Sequence, residues 1–269
     1  MPRFKLIATD LDDTLLNDQL EVSPENSQAL KKAMELGTVV TIATGRMFRS
    51  ALPIALGLGI RNPIIAYQGA LIKDTVSGEV LWHRPVPLDL AHQVLKAGYR
   101  ANVHMNVYLD DNLFVDDITP EGKGYANLAE VEMTSVGNLL EFLTADPSKI
   151  LFIAEPSFLD RLKQELQEVF GDSLYITKSK PNYLEFMHRE ATKKHALQSL
   201  ADRFGIRREE IMAFGDSYND LDMLEFAGFG IAMGNGVKEV KETAKYVTAN
   251  NNEDGVAKAI KKFLLREQR

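Results

Sequence analysis

Three aspartates within four residues, Asp10, Asp12 and Asp13, directly follow a short apolar run from Lys5 to Thr9. That run is β-compatible and too apolar to be half solvated, as expected for a central strand of a parallel sheet. Ligands of such sheets bind beyond the carboxyl ends of the strands. Because clustered carboxylates repel one another, a fold that gathers them needs a compensating cation, and hard oxygen ligands favour Mg²⁺. The sequence therefore predicts a magnesium site at the end of this strand.

A calcium-binding loop is the main alternative for the same segment. Asp10, Asp12, Thr14 and Glu21 fit the first, third, fifth and twelfth positions of an EF-hand. The sixth position of that loop should be Gly for its sharp turn, but it is Leu15, and the preceding segment has the pattern of a strand rather than of a helix. A magnesium site at a strand end is therefore the preferred interpretation.

The composition of the chain is that of a globular protein. A length of 269 residues allows one large or two modest domains. The 31 basic and 38 acidic residues give a net charge of −7, so we do not expect nucleic acid as a partner. The absence of cysteine excludes disulfides, thiolate metal ligands and a thiol nucleophile. The apolar stretches are too short for a signal peptide core or a membrane span, so we expect a cytoplasmic protein without a membrane partner.

A repeated order of strand, polar turn and helix occurs in the first and last parts of the chain. The β-rich run from Thr38 to Ala43 stops at Thr44-Gly45-Arg46, before an amphipathic segment. A predicted helix from Lys193 to Phe204 precedes a strand that ends at Gly215-Asp216-Ser217-Tyr218-Asn219-Asp220. This alternation is typical of a parallel α/β sheet.

The central part of the chain has a different pattern. Arg84-Pro85-Val86-Pro87 is typical of a semi-rigid linker, and it precedes a predicted helix over 88–101, a hairpin and further strands up to His188. These elements suit a small α+β domain with helices on one face of an open sheet. We therefore predict an α/β protein in which residues 1–83 and 189–269 form a Rossmann-like parallel-sheet core. Residues 84–188 are predicted to form an inserted α+β cap domain that acts as a lid.

Several polar groups in the predicted core could converge at one edge of its sheet. A single Thr-Gly, a single lysine at a helix start or a single Gly-Asp-Ser turn would carry little information, because each is common in unrelated contexts. Together they are complementary: carboxylates hold a cation, while a hydroxyl, backbone amides, an ammonium and a carboxamide suit a dianionic phosphate. This combination predicts a site for a phosphorylated ligand.

Four segments resemble the four motifs of the haloacid dehalogenase-like hydrolases: Asp10-Leu11-Asp12-Asp13-Thr14, Thr44-Gly45-Arg46, Lys193 and Gly215-Asp216-Ser217-Tyr218-Asn219-Asp220. The resemblance covers nearly the whole chain, and the insertion between the second and third motifs is similar to that of the Cof-type sugar-phosphate phosphatases. Two departures are present. Gln68-Gly69-Ala70 stands where this subfamily commonly has Asn-Gly-Ala, and Lys194 follows the motif lysine where it often has Gly.

The resemblance implies that the reaction passes through an aspartyl-phosphate. Asp10 would be the nucleophile, and Asp12 would be the general acid and base. Mg²⁺ would be held by Asp10, by the backbone carbonyl of Asp12 and by Asp216. Asp220 would support this site, and Thr14 would orient the loop of the nucleophile.

The resemblance also implies a set of phosphate-binding groups, namely the backbone amides of Leu11 and Gly45 and the side chains of Thr44, Lys193 and Asn219. The function expected from it is a Mg²⁺-dependent phosphatase for small phosphorylated metabolites, with sugar phosphates as the first class to test. A phosphomutase, which shares the aspartyl-phosphate, and a non-catalytic metal-binding regulatory protein are the alternatives. The sequence leaves the oligomeric state open, and a monomer is compatible with it.

Overall fold

The structure is a computed structural model and describes residues 3–265 of the 269-residue chain. The strands within this range are β1 (Leu6–Thr9), β2 (Val39–Ile42), β3 (Ile64–Ala66), β4 (Leu71–Lys73), β5 (Val80–His83), β6 (His104–Leu109), β7 (Asn112–Val115), β8 (Met133–Ser135), β9 (Lys149–Ile153), β10 (Leu174–Lys180), β11 (Tyr183–His188), β12 (Ile211–Gly215), β13 (Phe229–Ala232) and β14 (Tyr246–Val247). The α-helices are α1 (Pro24–Glu35), α2 (Phe48–Gly57), α3 (Leu88–Ala101), α4 (Pro120–Ala129), α5 (Leu139–Phe142), α6 (Pro156–Phe170), α7 (Lys193–Arg203), α8 (Leu221–Phe226), α9 (Lys238–Thr243) and α10 (Gly255–Ile260).

The central sheet has five parallel strands in the order β14-β13-β12-β1-β2. Strand β1 lies between β2 and β12, and all four of its residues are buried. A single parallel bridge from Ala43 to Ile65 connects the end of β2 to the antiparallel sheet β3-β4-β5. The predicted α/β fold with a parallel core sheet is confirmed.

Helices cover both faces of the central sheet. Ile7 of β1 packs into an apolar cluster that includes residues of α1 and α10, while its neighbours Leu6 and Ala8 pack on the opposite side against residues of α7, α8 and α9. Successive residues of a strand point to opposite faces, so a strand buried on both faces must be apolar throughout. The uninterrupted apolar character of this strand thus reflects a three-layer arrangement.

A second sheet has six strands in the order β10-β11-β9-β6-β7-β8. Helices α3, α5 and α6 pack on one face of it around residues such as Val107, Phe152 and Phe186. The other face faces the central part of the molecule, because Tyr108 and Leu151 belong to the apolar cluster that contains Ile7. The predicted helix over 88–101 is confirmed as α3.

The segment between β7 and β9 contains elements that the sequence patterns do not predict. It forms α4, the short strand β8 and the single-turn helix α5. Helix α4 begins after Thr119, whose side chain accepts a hydrogen bond from the amide of Gly122, and it has Pro120 in its first turn. Its buried residue Tyr125 lies beside Tyr108 of β6. Among residues 3–265, no helix has the length and apolar character needed to cross a bilayer.

Candidate active site

The acidic residues of the first and last motifs lie at the same edge of the central sheet, beyond the ends of β1 and β12. The amide of Asp10 donates to the carbonyl of Phe214, 3.1 Å away, so the chain stays paired past the end of β1. Asp216 directly follows β12. Because the two strands are parallel neighbours, their carboxyl ends coincide, and the two carboxylates are brought to one place.

Lys193 is buried among these carboxylates and is only 1% exposed. Its Nζ lies 2.8 Å from Asp10 Oδ1 and 2.6 Å from Asp220 Oδ1. The side chain of Thr192 accepts a hydrogen bond from the amide of His195 and caps α7, which places the lysine in the first position of that helix. The third motif therefore contributes its ammonium at the edge where the first and fourth motifs meet.

Asp220 organises the turn after β12. One of its oxygens, Oδ2, accepts hydrogen bonds from the amides of Asp216 and Ser217 at 2.9 and 3.1 Å, while the other accepts from Lys193. The hydroxyl of Thr14 donates to Asp216 Oδ1 at 2.7 Å, so Thr14 holds the acid of the fourth motif. Both contacts fix the orientation of carboxylates that would otherwise repel one another.

The electrostatics of this cluster favour a bound cation. Ligand oxygens of Asp10, Asp216 and Asp220 lie within 4.8 Å of one another. Burial raises the pKa of Asp10 well above its ordinary value; Lys193 opposes this shift, and the neighbouring carboxylates add to it. Burial, followed by the charge of Asp220, raises the pKa of Asp216 to about 7. The donor set of buried carboxylate oxygens fits Mg²⁺, which would supply the missing positive charge.

Lys193 remains charged between the carboxylates of Asp10 and Asp220. Burial alone would lower the pKa of the Lys193 ammonium, but Asp10 and Asp220 raise it above its ordinary value. A buried ammonium that stays protonated can bind an incoming anion as well as the carboxylates around it. Lys194, the neighbouring lysine, is only half-buried.

Asp12 makes a two-pronged ion pair with Arg46, the residue after the Thr-Gly of the second motif. Arg46 Nε lies 2.9 Å from Asp12 Oδ2, and an Nη lies 2.6 Å from Asp12 Oδ1. Burial opposes ionisation of Asp12, but the hydrogen bonds and charge of Arg46 more than offset it and hold the pKa of Asp12 below its ordinary value. The carboxylate of Asp12 is 31% exposed, so it faces the cleft.

The Thr-Gly segment of the second motif lies next to Gln68. Thr44 is fully buried, and its hydroxyl accepts a hydrogen bond from the amide of Arg46 at 3.1 Å. A Cβ atom at Gly45 would lie 2.4 Å from Gln68 Nε2, so only glycine fits while Gln68 keeps its place. Asn219 is 6% exposed, and its Nδ2 donates to Gln68 Oε1 at 2.9 Å. The side chain of Leu11 is fully buried, which leaves its backbone amide as its contribution to a site.

The opposite wall of the cleft comes from the segment that forms the six-stranded sheet. Its lining residues include Tyr125, Lys149, Ser179, Lys180, Tyr183 and Glu185. Lys149 and Glu185 form a buried ion pair at 3.1 Å, with side chains 1% and 4% exposed. Lys149 and Glu185 are absent from the site predicted from the sequence, although a charged residue at the start of the apolar strand β9 and one within β11 are a signal for them.

The family profile described as haloacid dehalogenase-like hydrolase matches residues 7–260. The chain belongs to this family. A solved structure of a haloacid dehalogenase-like hydrolase from Bacteroides thetaiotaomicron superposes with a TM-score of 0.87 at 30% identity, over 96% of this chain and 99% of that one.

Two curated relatives carry phosphatase names. The 5-amino-6-(5-phospho-D-ribitylamino)uracil phosphatase YitU of Bacillus subtilis is 34% identical over 96% of this chain and 97% of its own length. The HMP-PP phosphatase of Serratia proteamaculans is 31% identical over 88% of this chain and 86% of its own length. The chain is therefore a phosphatase of the Cof-type group within the haloacid dehalogenase-like hydrolases.

Proposed function

We propose that this phosphatase is a Mg²⁺-dependent phosphomonoesterase that forms an aspartyl-phosphate on Asp10. The observation that carries the proposal is the cluster at the edge of the central sheet. There, a buried carboxylate, Asp10, lies 2.8 Å from the Lys193 ammonium and close to two further carboxylates. Such a cluster can bind a cation and a phosphoryl group side by side.

In the first step, a carboxylate oxygen of Asp10 attacks the phosphorus, and the bond from phosphorus to the ester oxygen breaks. In the second step, water attacks the aspartyl-phosphate and releases inorganic phosphate. When bound to Asp10, Asp216 and the Asp12 carbonyl, Mg²⁺ would neutralise negative charge on the phosphoryl oxygens. Lys193 would neutralise charge on the same group, while the hydrogen bonds from the Thr14 hydroxyl to Asp216 and from the Asp216 amide to Asp220 hold these two carboxylates in place.

The phosphoryl group would also be bound by neutral groups. The backbone amides of Leu11 and Gly45, the hydroxyl of Thr44 and the amide of Asn219 are the donors that we propose for it. Thr44 and Asn219 are nearly fully buried, so hydrogen bonds from them would form in a site with little water.

Asp12 is the proposed acid and base, and its ion pair with Arg46 governs when it can act. While Arg46 holds both of its oxygens, the pKa of Asp12 stays low, and the group is ionised. A dianionic substrate attracts the same guanidinium, and any weakening of the ion pair raises the pKa of Asp12. Asp12 can then take up a proton from solvent and give it to the leaving oxygen, and the carboxylate that remains can accept a proton from the attacking water.

We further propose that residues 1–83 and 189–269 act as the catalytic core and residues 84–188 as a cap. The two connecting segments lie beside each other, since Arg84 Nε is 3.2 Å from an oxygen of Glu190. The cap supplies one wall of the cleft, so its position over the core would exclude water and bulky macromolecular substrates. In this proposal the cap acts as a lid that closes on small molecules.

The substrate class that we propose is small phosphorylated metabolites, beginning with sugar phosphates. YitU is named for a phosphate ester on a ribityl chain, and the Serratia protein is named for HMP-PP, so similar chains carry names for different small phosphorylated compounds. Hydroxyl, ammonium and phenol groups of Ser179, Lys180 and Tyr183 line the cap side of this cleft, where a polar leaving group would lie.

The test is a panel of hexose, pentose and polyol phosphates, with phosphate release measured with Mg²⁺ and after exhaustive chelation. We expect Mg²⁺-dependent release by the wild type and none by Asp10→Asn. Product analysis with hexose phosphates separates hydrolysis from isomerisation, which a phosphomutase would catalyse. Metal binding without turnover on any ester would instead favour the regulatory alternative, and turnover that persists after chelation would refute the metal requirement.

A further inference from the structure

The segment from Tyr67 to Gly69 has an unusual backbone. Three consecutive residues have positive φ angles, 51° at Tyr67, 59° at Gln68 and 107° at Gly69. Residues other than glycine rarely adopt this region and, when they do, the surrounding structure must hold them there.

The backbone of this segment contacts two of the four motifs. The amide of Gln68 donates to the carbonyl of Thr44 at 3.0 Å. Gly69 packs so closely on the residue before Lys193 that a Cβ atom at this position would lie 2.2 Å from the carbonyl oxygen of Thr192. The strained conformation therefore places the Gln68 side chain beside Gly45 of the second motif, while the backbone of Gly69 lies against the start of the third.

The side chain of Gln68 joins a residue of the six-stranded sheet to the fourth motif. Its Nε2 donates to Glu185 Oε2 at 2.8 Å, and its Oε1 accepts from Asn219 Nδ2 at 2.9 Å. Because a carboxylate only accepts hydrogen bonds, Glu185 determines which end of the Gln68 amide faces it. Gln68 must then present its oxygen to Asn219, and Asn219 must present its NH₂ group.

With the Gln68 amide in this orientation, Asn219 can offer a ligand the remaining N–H of its side-chain amide. One N–H of Asn219 is used by Gln68, and the second N–H is left for another acceptor. Within residues 3–265, its Oδ1 is buried and has no hydrogen-bond partner. The orientation of the Asn219 amide thus depends on Gln68 and, through it, on Glu185.

Glu185 is itself held on the other side. Its Oε1 accepts from Lys149 at 3.1 Å and from the Ser179 hydroxyl at 2.9 Å. Lys149 also donates to the carbonyl of Gly45 at 2.9 Å, which joins the same network to the second motif. The network of Lys149, Glu185, Gln68 and Asn219 is buried throughout, so its hydrogen bonds cannot be exchanged for water without cost.

We propose that Gln68 is a positioning residue. It orients the Asn219 amide for phosphate binding only while its own amide is hydrogen-bonded to Glu185. The proposal rests on the proposed function, in which Asn219 binds the phosphoryl group. The phosphate site is then complete only when strands β9 and β11, which carry Lys149 and Glu185, are packed against Gln68. Asparagine at this position would be one methylene, about 1.5 Å, shorter and could not keep both contacts without movement of the chain.

The experiment exchanges the glutamine at position 68 and the glutamate at position 185, singly and together. Gln68→Glu alone puts two carboxylates in hydrogen-bond contact, and Glu185→Gln alone removes the charge that fixes the amide orientation. The double variant restores the pattern in reverse, because the new glutamine donates to the new glutamate. The new glutamate still accepts from Asn219, and the new glutamine oxygen still accepts from Lys149. Gln93→Glu, at an exposed position of α3, is the control for an added charge.

The readouts are inorganic phosphate affinity with Mg²⁺ by calorimetry, kcat and KM for the best substrate, and the melting temperature. We expect each single variant to weaken phosphate binding and raise KM by about tenfold or more, because each loses a buried hydrogen bond to a charged group. The double variant should recover to within about threefold of the wild type. Gln93→Glu should bind phosphate as the wild type does.

Two results would overturn the proposal. The first is wild-type phosphate affinity in folded Gln68→Glu and Glu185→Gln, and the second is a folded double variant that recovers neither affinity nor KM. If Gln68→Glu does not fold, Glu185→Gln and the double variant still decide. A role in stability alone would lower the melting temperature without changing phosphate affinity, and it too would overturn the proposal. Calorimetry does not depend on turnover, so a wild type that binds phosphate but hydrolyses no ester refutes the proposed function separately.

Discussion

Replacement of Lys193 by methionine tests the electrostatic design of the site. Methionine keeps most of the buried stem but removes the charge between Asp10 and Asp220, whose oxygens lie 2.8 and 2.6 Å from Nζ. Removing one partner of a buried ion pair costs about 3–5 kcal/mol, because the remaining charges stay buried and unpaired. For a chain of this size that loss corresponds to a decrease in melting temperature of roughly 6–20 °C.

The assay compares thermal unfolding of Lys193→Met and the wild type without metal and with saturating Mg²⁺. We expect the full decrease in melting temperature without metal and a smaller decrease with Mg²⁺, because the cation replaces part of the missing positive charge. Phosphatase activity should fall by about a hundredfold or more, as when a charge-stabilising group is removed from a transition state. Lys194→Met is the matched control. Wild-type stability and activity in Lys193→Met, together with a loss of both in Lys194→Met, would refute the role given to Lys193.

Three further predictions concern the same cluster. Asp12→Asn should keep more of the first step with an aryl phosphate than with an alkyl phosphate, because a phenolate leaves without protonation; rapid-quench kinetics should show a burst of phenol, and equal losses without a burst would exclude an acid and base role. Thr14→Val should lower the free energy of unfolding by about 1.5–3 kcal/mol in urea and weaken Mg²⁺ binding, since it removes the 2.7 Å hydrogen bond to Asp216; unchanged values would contradict the role of that bond. The raised pKa values of Asp10 and Asp216 mean that the metal-free folded state binds more protons than the unfolded chain, so its stability should fall as pH rises from about 4 towards about 7. The increase in melting temperature on addition of Mg²⁺ should then be larger at pH 8 than at pH 5, and an equal increase at both would contradict it.

The central sheet and the acidic cluster could be predicted because their signals are local. A strand buried on both faces must be apolar along its length, and the three acids that follow it lie within four residues. Parallel strands then bring their ends together without further information. The segment containing α4 gave no such signal, because a ten-residue helix with two glycines and few apolar residues has little helical periodicity.

The contacts around the cluster could not be predicted from the sequence. Arg46 and Asp12 are 34 residues apart and follow the neighbouring strands β2 and β1, so the sheet brings them close but does not by itself specify a two-pronged ion pair. Gln68 and Glu185 are 117 residues apart, and their pairing depends on how the six-stranded sheet packs against the rest of the chain. Glu185 alternates with Leu184 and Phe186 in β11, which predicts that it points away from their apolar cluster. What lies on its other side is known only from the folded chain.

The central claim is that the reaction passes through a phosphorylated Asp10, and direct capture of that intermediate tests it. Asp12→Asn is mixed with an aryl phosphate and Mg²⁺, quenched in acid within milliseconds, digested and mapped by mass spectrometry. We expect phosphate on the peptide that contains Asp10, in an amount that matches the phenol burst, and none in Asp10→Asn. Phosphate on another residue, or hydrolysis by Asp10→Asn at the wild-type rate, would contradict it.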